Sequence, residues 1–256
     1  MDKITYLKKK EAQQTQTFQK ESFCYKCYKQ SKNCLCHLVS SFSPVFQFVI
    51  LMHPMEAKKE KMGTGRLSHL FLEGSKIITG VDFSQNEEVN QLIKEGNVYI
   101  MYPGENAINV SCGEVGKLKN QIEKNQRISI FLIDGTWPCA KKMMKLSKNL
   151  HDLPRISFDV TKESMFEIKE QPSKFCLSTI ESIHLFLTEC ERRNLINIDH
   201  NQDKMLDAFK QMVEFQKQCA VDPALDSYRR KKQGYTPKSE RTPSKKWESR
   251  SIIFKK

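Results

Sequence analysis

Residues 128–150 read ISIFLIDGTWPCAKKMMKLSKNL, and this stretch leaves little choice of architecture. Its first six residues, Ile128 to Ile133, form a short β-branched apolar run, the pattern of a strand buried on both faces. Asp134-Gly135 then stops the run, because the glycine can take backbone angles that a side chain forbids. Thr136 is placed to cap a helix whose first turn holds Pro138, where a missing N–H costs nothing. On that helix Trp137, Ala140 and Met144 share one face, and Lys141, Lys145 and Lys148 another. In open parallel sheets, ligands bind beyond the carboxyl ends of the strands, against helix N-termini. Asp134, Gly135 and Thr136 stand at such a place.

A chain of 256 residues holds one domain of moderate size with appendages. Its net charge of +12 makes an acidic polymer the natural partner. The charge is unevenly spread. Eleven Lys/Arg and two Glu lie between Ser227 and Lys256, so +9 of the +12 sits in the last thirty residues. That segment, with few apolar residues and two Thr-Pro pairs, reads as a flexible basic tail. Tyr228, Tyr235 and Trp247 are interleaved with its lysines, a composition suited to unpaired nucleotides as well as phosphate. No apolar run approaches the roughly 18 residues of a membrane span. The N-terminus lacks the apolar core of a secretory signal. Nine cysteines in such a chain point to a reducing compartment, the cytosol or, in a eukaryote, the nucleus.

Four of those cysteines are clustered. Cys24 and Cys27 form one pair, and Cys34 and Cys36 follow six residues later. Paired thiols at this spacing suit one tetrahedral zinc ion, with an iron–sulfur centre as the other option. The single residue between Cys34 and Cys36 makes the second pair tight, so His37 stays open as a substitute ligand. The lysines and tyrosines between the pairs could serve as a platform for RNA. The other cysteines are widely spaced and read as small buried hydrophobes.

Downstream, strands and helices alternate. Strands are expected at 45–52, 76–80 and 97–101, and helices at 65–72, 87–94 and 115–124, before the unit at 128–150. A helix from Ser178 to about Arg193 follows, opened by a Ser178/Glu181 capping box, and another covers 203–218. An α/β domain with a mostly parallel sheet is the simplest architecture. His53-Pro-Met-Glu56, at one strand exit, looks unsuited to helical ligand geometry because Pro54 intervenes. A structural or RNA-facing role suits it better.

Several blocks, taken in order, resemble the DTW-domain family. These are the paired cysteines, His53 with Glu56, Thr64-Gly65-Arg66, Tyr102-Pro103, Asp134-Gly135-Thr136-Trp137 and Ser178-Thr179-Ile180-Glu181. The resemblance covers roughly residues 24–218. It implies an α/β fold of the SPOUT class, a knotted chain included, with S-adenosylmethionine as donor. The activity it implies is that of a tRNA-uridine aminocarboxypropyltransferase. The divisions are a polar arm (1–21), a zinc knuckle (22–40), the catalytic domain (41–222) and the basic tail (223–256). By the same resemblance, Tyr102-Pro103-Gly104, Ile133-Asp134-Gly135 and Leu177-Ser178-Thr179 hold the donor, and Asp134, Thr136 and Trp137 serve catalysis. His53, Glu56, Arg66, Lys141 and Lys145 face the substrate, tRNA, with the donor's carboxylate as the other candidate partner of Arg66. Where many relatives carry a basic-aromatic stretch, this chain has Met165 to Glu170, with Lys169 standing in for an arginine. SPOUT relatives often dimerise, but no dimer face shows in the pattern.

Transfer of the 3-amino-3-carboxypropyl group to uridine N3 needs an oriented sulfonium and a departing N3 proton. A free Asp, with a pKa of about 3.9, is a weak base for an imide unless burial narrows the gap. Asp134 is therefore either the base, the reading preferred here, or the anchor of the donor's ammonium group. Two alternatives remain: an RNA methyltransferase using the same donor, or a zinc-bearing RNA-binding module without activity.

Overall fold

The computed structural model describes residues 23–59, 63–104, 106–168 and 175–222, with 236 and 240 beyond them. The N-terminal arm, Lys169 and nearly all of the basic tail lie outside the described residues. The chain divides into two compact units, Met1–His37 and Leu38–Lys256.

In the first unit β1 (Phe23–Cys24) pairs antiparallel with β2 (Lys29–Gln30). Tyr28, just before β2, takes a left-handed φ of 56°. Cys24 ends β1 and Cys27 lies in the turn between the strands, and two 3-10 turns, Ser31–Asn33 and Cys36–Leu38, bring back Cys34 and Cys36.

The second unit is built on a six-stranded sheet. Its strands are β3 (Gln47–Met52), β4 (Lys76–Thr79), β5 (Val98–Met101), β6 (Ile108–Asn109), β7 (Ser129–Asp134) and β8 (Arg155–Ser157). They run in the order β4-β3-β7-β5-β8-β6, and every pairing is parallel. Parallel strands require crossovers, and the helices that supply them cover the sheet, so its central strands must be apolar on both faces. Phe48 to Met52 and Ile130 to Phe131 are accordingly almost inaccessible. The helices are α1 (Pro54–Lys59), α2 (Thr64–Phe71), α3 (Glu87–Glu95), α4 (Gly116–Glu123), α5 (Trp137–Leu146), α6 (Thr179–Arg192) and α7 (Asp203–Val221). Phe186 of α6 packs on Phe46 and Phe48, and Phe209 of α7 packs edge-on against Phe166.

Four expectations change. Pro54 does not break the segment after β3; it is the first residue of α1, a position that needs no N–H, and Glu56 lies in that helix's first turn. Strand β3 begins at Gln47 rather than at Val45, whose φ of 66° is not extended. Lys148 leaves the lysine face, because α5 stops at Leu146 and the buried hydroxyl of Ser147 accepts the N–H of Phe83. Lys148 opens a 3-10 turn instead. Thr136 occupies the N-cap position of α5, yet its hydroxyl makes no capping hydrogen bond.

Candidate active site

β3 and β7 end together, with Met52 opposite Asp134 in register. The N–H of His53 donates to the carbonyl of Asp134 at 2.8 Å, carrying the pairing one residue further. The Asp134 side chain thus emerges at the carboxyl edge of the sheet, only 6 % exposed. Two helix beginnings meet it there. Thr179, the first residue of α6, donates its hydroxyl to Oδ1 at 2.6 Å. Gly65, in the first turn of α2, comes so close that a Cβ there would lie 2.6 Å from Oδ2. The start of a helix favours negative charge, so both neighbours suit a carboxylate.

Around Asp134 opens a cavity of about 550 Å³, the size range of small-molecule pockets. Three segments predicted to hold the donor form its walls: Tyr102 and Pro103 after β5, Ile133 to Gly135 at the end of β7, and Leu177 to Thr179 at the start of α6. Glu56, 7 % exposed, and Thr64 close the side nearest α1 and α2. Two carboxylates therefore face one cavity. Among the described residues no Lys, Arg or His lines it.

The remaining predicted residues lie elsewhere. Gly104 is outside the lining, and a Cβ there would meet the Arg155 guanidinium. Arg66 turns its guanidinium to the carbonyl of Ala57 at 2.7 Å. Ring Nδ1 of His53 accepts the N–H of Met55 at 3.2 Å. Lys141 and Lys145 are exposed on α5, outside the lining but on the helix that starts with the cavity's Trp137.

Other residues escaped the sequence. Phe158, Val160, Phe166 and Phe175 complete an aromatic and apolar wall. Arg155 carries its cation 5.7 Å from the centre of the Tyr102 ring and donates to the carbonyl of Pro103 at 3.2 Å. Burial pushes the Tyr102 phenol up from its ordinary pKa, with Arg155 opposing. The strand that carries Arg155 and leads into this wall, β8, is three residues long, too short to show a periodicity.

In the first unit the thiol sulfurs of Cys24, Cys27, Cys34 and Cys36 all lie within 4.8 Å of one another. Cys24 and Cys36 are 3.7 Å apart, as are Cys27 and Cys34. A tetrahedron of about 2.3 Å metal–sulfur bonds has edges of roughly 3.8 Å, so the cluster could hold a metal ion. Backbone N–H groups of Cys27 and Lys26 draw the Cys24 thiol down to about 6, whereas desolvation pushes Cys27 and Cys36 up. His37 is exposed and outside the cluster. Of the scattered cysteines, Cys176, Cys190 and Cys219 are buried, while Cys112 is exposed and Cys139 half-buried.

The DTW domain, as a family description, matches residues 21–217, which spans both the thiol cluster and the cavity. The chain belongs to the DTW-domain family. This DTW protein is 26 % identical over 228 residues to tRNA-uridine aminocarboxypropyltransferase 2 of Macaca fascicularis, covering 85 % of this chain and 72 % of that one. It is 28 % identical over 179 residues to the protein of the same name from Drosophila melanogaster, covering 66 % and 67 %. For the Mus musculus protein of that name the identity is 27 % over 221 residues, covering 84 % and 70 %. No solved structure matches. These likenesses make the DTW protein a transferase of an RNA-modifying family. Among the described residues, no helix is long and apolar enough to cross a membrane.

Proposed function

We propose that the protein transfers the 3-amino-3-carboxypropyl group of S-adenosylmethionine to N3 of a tRNA uridine and releases methylthioadenosine. One observation carries the reading: a half-open cavity with two buried carboxylates and no basic side chain among its described lining. Such a cavity disfavours a phosphorylated ligand and favours a cation. S-adenosylmethionine brings two positive centres, the sulfonium and the ammonium, and an adenosine for the aromatic wall. The names of the three relatives point the same way.

In this reading the carbon–sulfur bond breaks with its electron pair going to sulfur, and the N3–carbon bond forms. The N3 proton leaves to one of the two cavity carboxylates. Asp134, already met by Thr179 and the start of α2, supplies fixed negative charge beside the cationic donor. Trp137 and Tyr102 flank the approach. Outside the cavity, Lys141 and Lys145 and the basic tail take RNA phosphates, and Arg66 and His53 brace the loops around Glu56. The thiol cluster holds zinc as a structural clasp. The sheet order, with β7 lying between β3 and β5, supports a SPOUT-like fold, and we extend that to the knot. The cytosol or nucleus is the matching compartment.

Pure protein, S-adenosylmethionine and tRNA, followed by mass spectrometry of nucleosides and small products, tests this directly. The expected result is an aminocarboxypropyl uridine with methylthioadenosine in equal amount. A methylated nucleoside with adenosylhomocysteine would make the enzyme a methyltransferase. Absence of donor binding in calorimetry, with tRNA still bound, would leave an RNA-binding module.

A further inference from the structure

Glu181 does more than cap a helix. It is 6 % exposed and accepts four hydrogen bonds. Oε2 takes the Ser178 N–H at 2.8 Å, the Ser178 hydroxyl at 2.6 Å and the Ser164 hydroxyl at 2.8 Å. Oε1 takes the N–H of Met165 at 2.6 Å. The first two are local: a capping box accounts for the N–H bond, and the hydroxyl bond joins the same two residues. The other two reach a segment 16 and 17 residues earlier in the chain, which a helix cap does not require. The Ser164 hydroxyl also receives the N–H of Phe166 at 3.1 Å. One buried carboxylate therefore ties together two separate walls of the cavity: the strap that ends in Phe166, and the start of α6.

The consequence runs through the next residue. Thr179, whose hydroxyl holds Asp134, follows Ser178 directly, and Glu181 lies two residues further on. We propose that Glu181 is a positioning residue for the donor cavity, fixing the Phe166 strap to α6 so that Thr179 meets Asp134 and the wall stays closed. Hydrogen bonds to an ionised carboxylate are shorter and stronger than neutral ones, so this residue type suits a four-donor clasp. The inference rests on reading the cavity as the donor site, but the clasp itself is testable without donor.

Glu181→Gln keeps the shape and replaces one acceptor by a donor, setting N–H or O–H groups against an amide. In hydrogen exchange without donor, amides of residues 163–168 and 175–180 are expected to exchange at least tenfold faster than in the wild type. In calorimetry the Kd for S-adenosylmethionine is expected to rise at least tenfold. Thr179→Val should weaken donor binding too, and the double variant should be no weaker than Glu181→Gln alone, because both act on one contact. Plain destabilisation would instead give additive losses, and that result, or unchanged exchange in both segments, would overturn the proposal. Should Glu181→Gln fail to fold, Ser164→Ala removes one of the four bonds to Glu181, along with the bond from the Phe166 N–H. Faster exchange over 175–180, beyond the reach of the lost Phe166 bond, and a roughly threefold weaker donor Kd are then expected, and wild-type values of both would overturn it. A wild-type protein that binds no donor would defeat the proposed function, while the exchange measurement would still decide the clasp.

Discussion

Gly65 and Asp134 lie 69 residues apart in sequence and in contact in space: a Cβ on Gly65 would stand 2.6 Å from Oδ2 and 2.9 Å from Cγ of Asp134. On the other side it would meet Ile50, in the middle of β3, at 3.2 Å. A methyl here overlaps the carboxylate where it stands, so Gly65→Ala must push it from its place between α2 and α6. The expected outcome is a donor Kd raised at least tenfold, with stability lowered by only about 1–3 kcal/mol of overpacking strain. Calorimetry beside denaturant unfolding checks it. Wild-type donor affinity in a folded Gly65→Ala protein would show that Asp134 does not need this seat.

Sequence alone leaves Asp134 open between two roles and prefers the base. Geometry favours the anchor, since a hydroxyl and a helix start already stabilise its charge. Asp134→Asn is therefore expected to weaken donor binding at least tenfold, with turnover at saturating donor reduced less than the affinity. Glu56→Gln should show the opposite split, a larger loss in kcat than in donor Kd. A collapse of kcat with unchanged donor affinity in Asp134→Asn would return the base role to that residue.

The strand–turn–helix unit at 128–150 is legible in the sequence because each of its parts has a local cause. A β-branched run makes the strand, a glycine makes the turn, and a proline suits the helix start. The four-thiol cluster is legible for the same reason. What stays hidden is non-local. Nothing in Thr64-Gly65-Arg66 tells that its glycine makes room for a carboxylate at the end of a distant strand. Phe158 and Phe166 carry no motif, and β8 presents a single buried Ile between Arg155 and Ser157. Pro54 misleads for an instructive reason: the same ring that ends a helix from within is well placed to begin one.

The thiol cluster and the cavity belong to different units, since every cavity-lining residue lies after His37. Removing the metal should therefore uncouple two measurements. Cys36→Ser, or prolonged chelation, is expected to abolish stoichiometric zinc in elemental analysis and to unfold the first unit. Donor affinity should stay within about twofold of wild type, because no ligand-contacting group is altered. A parallel loss of donor binding would mean that the metal supports the cavity as well.

Lys141 and Lys145 are exposed on α5, and among the described residues neither forms a salt bridge, which leaves both ammonium groups available to an anion. The helix they ride begins at Trp137 in the cavity, so a nucleotide entering there would lay its backbone along them. Each phosphate that goes without its lysine should lower the slope of log K against log salt by about 0.7–0.9. Lys141→Gln with Lys145→Gln is expected to reduce tRNA affinity and to lower that slope by roughly 1–2, while leaving the donor Kd unchanged. Deleting residues 223–256 should lower the slope further and by a larger amount, in keeping with the charge those residues carry. The comparison is made by titrating tRNA at several salt concentrations with wild type, the double variant and the truncated chain. A double variant with the wild-type slope would move the RNA path off α5 and onto another face of the sheet's carboxyl edge.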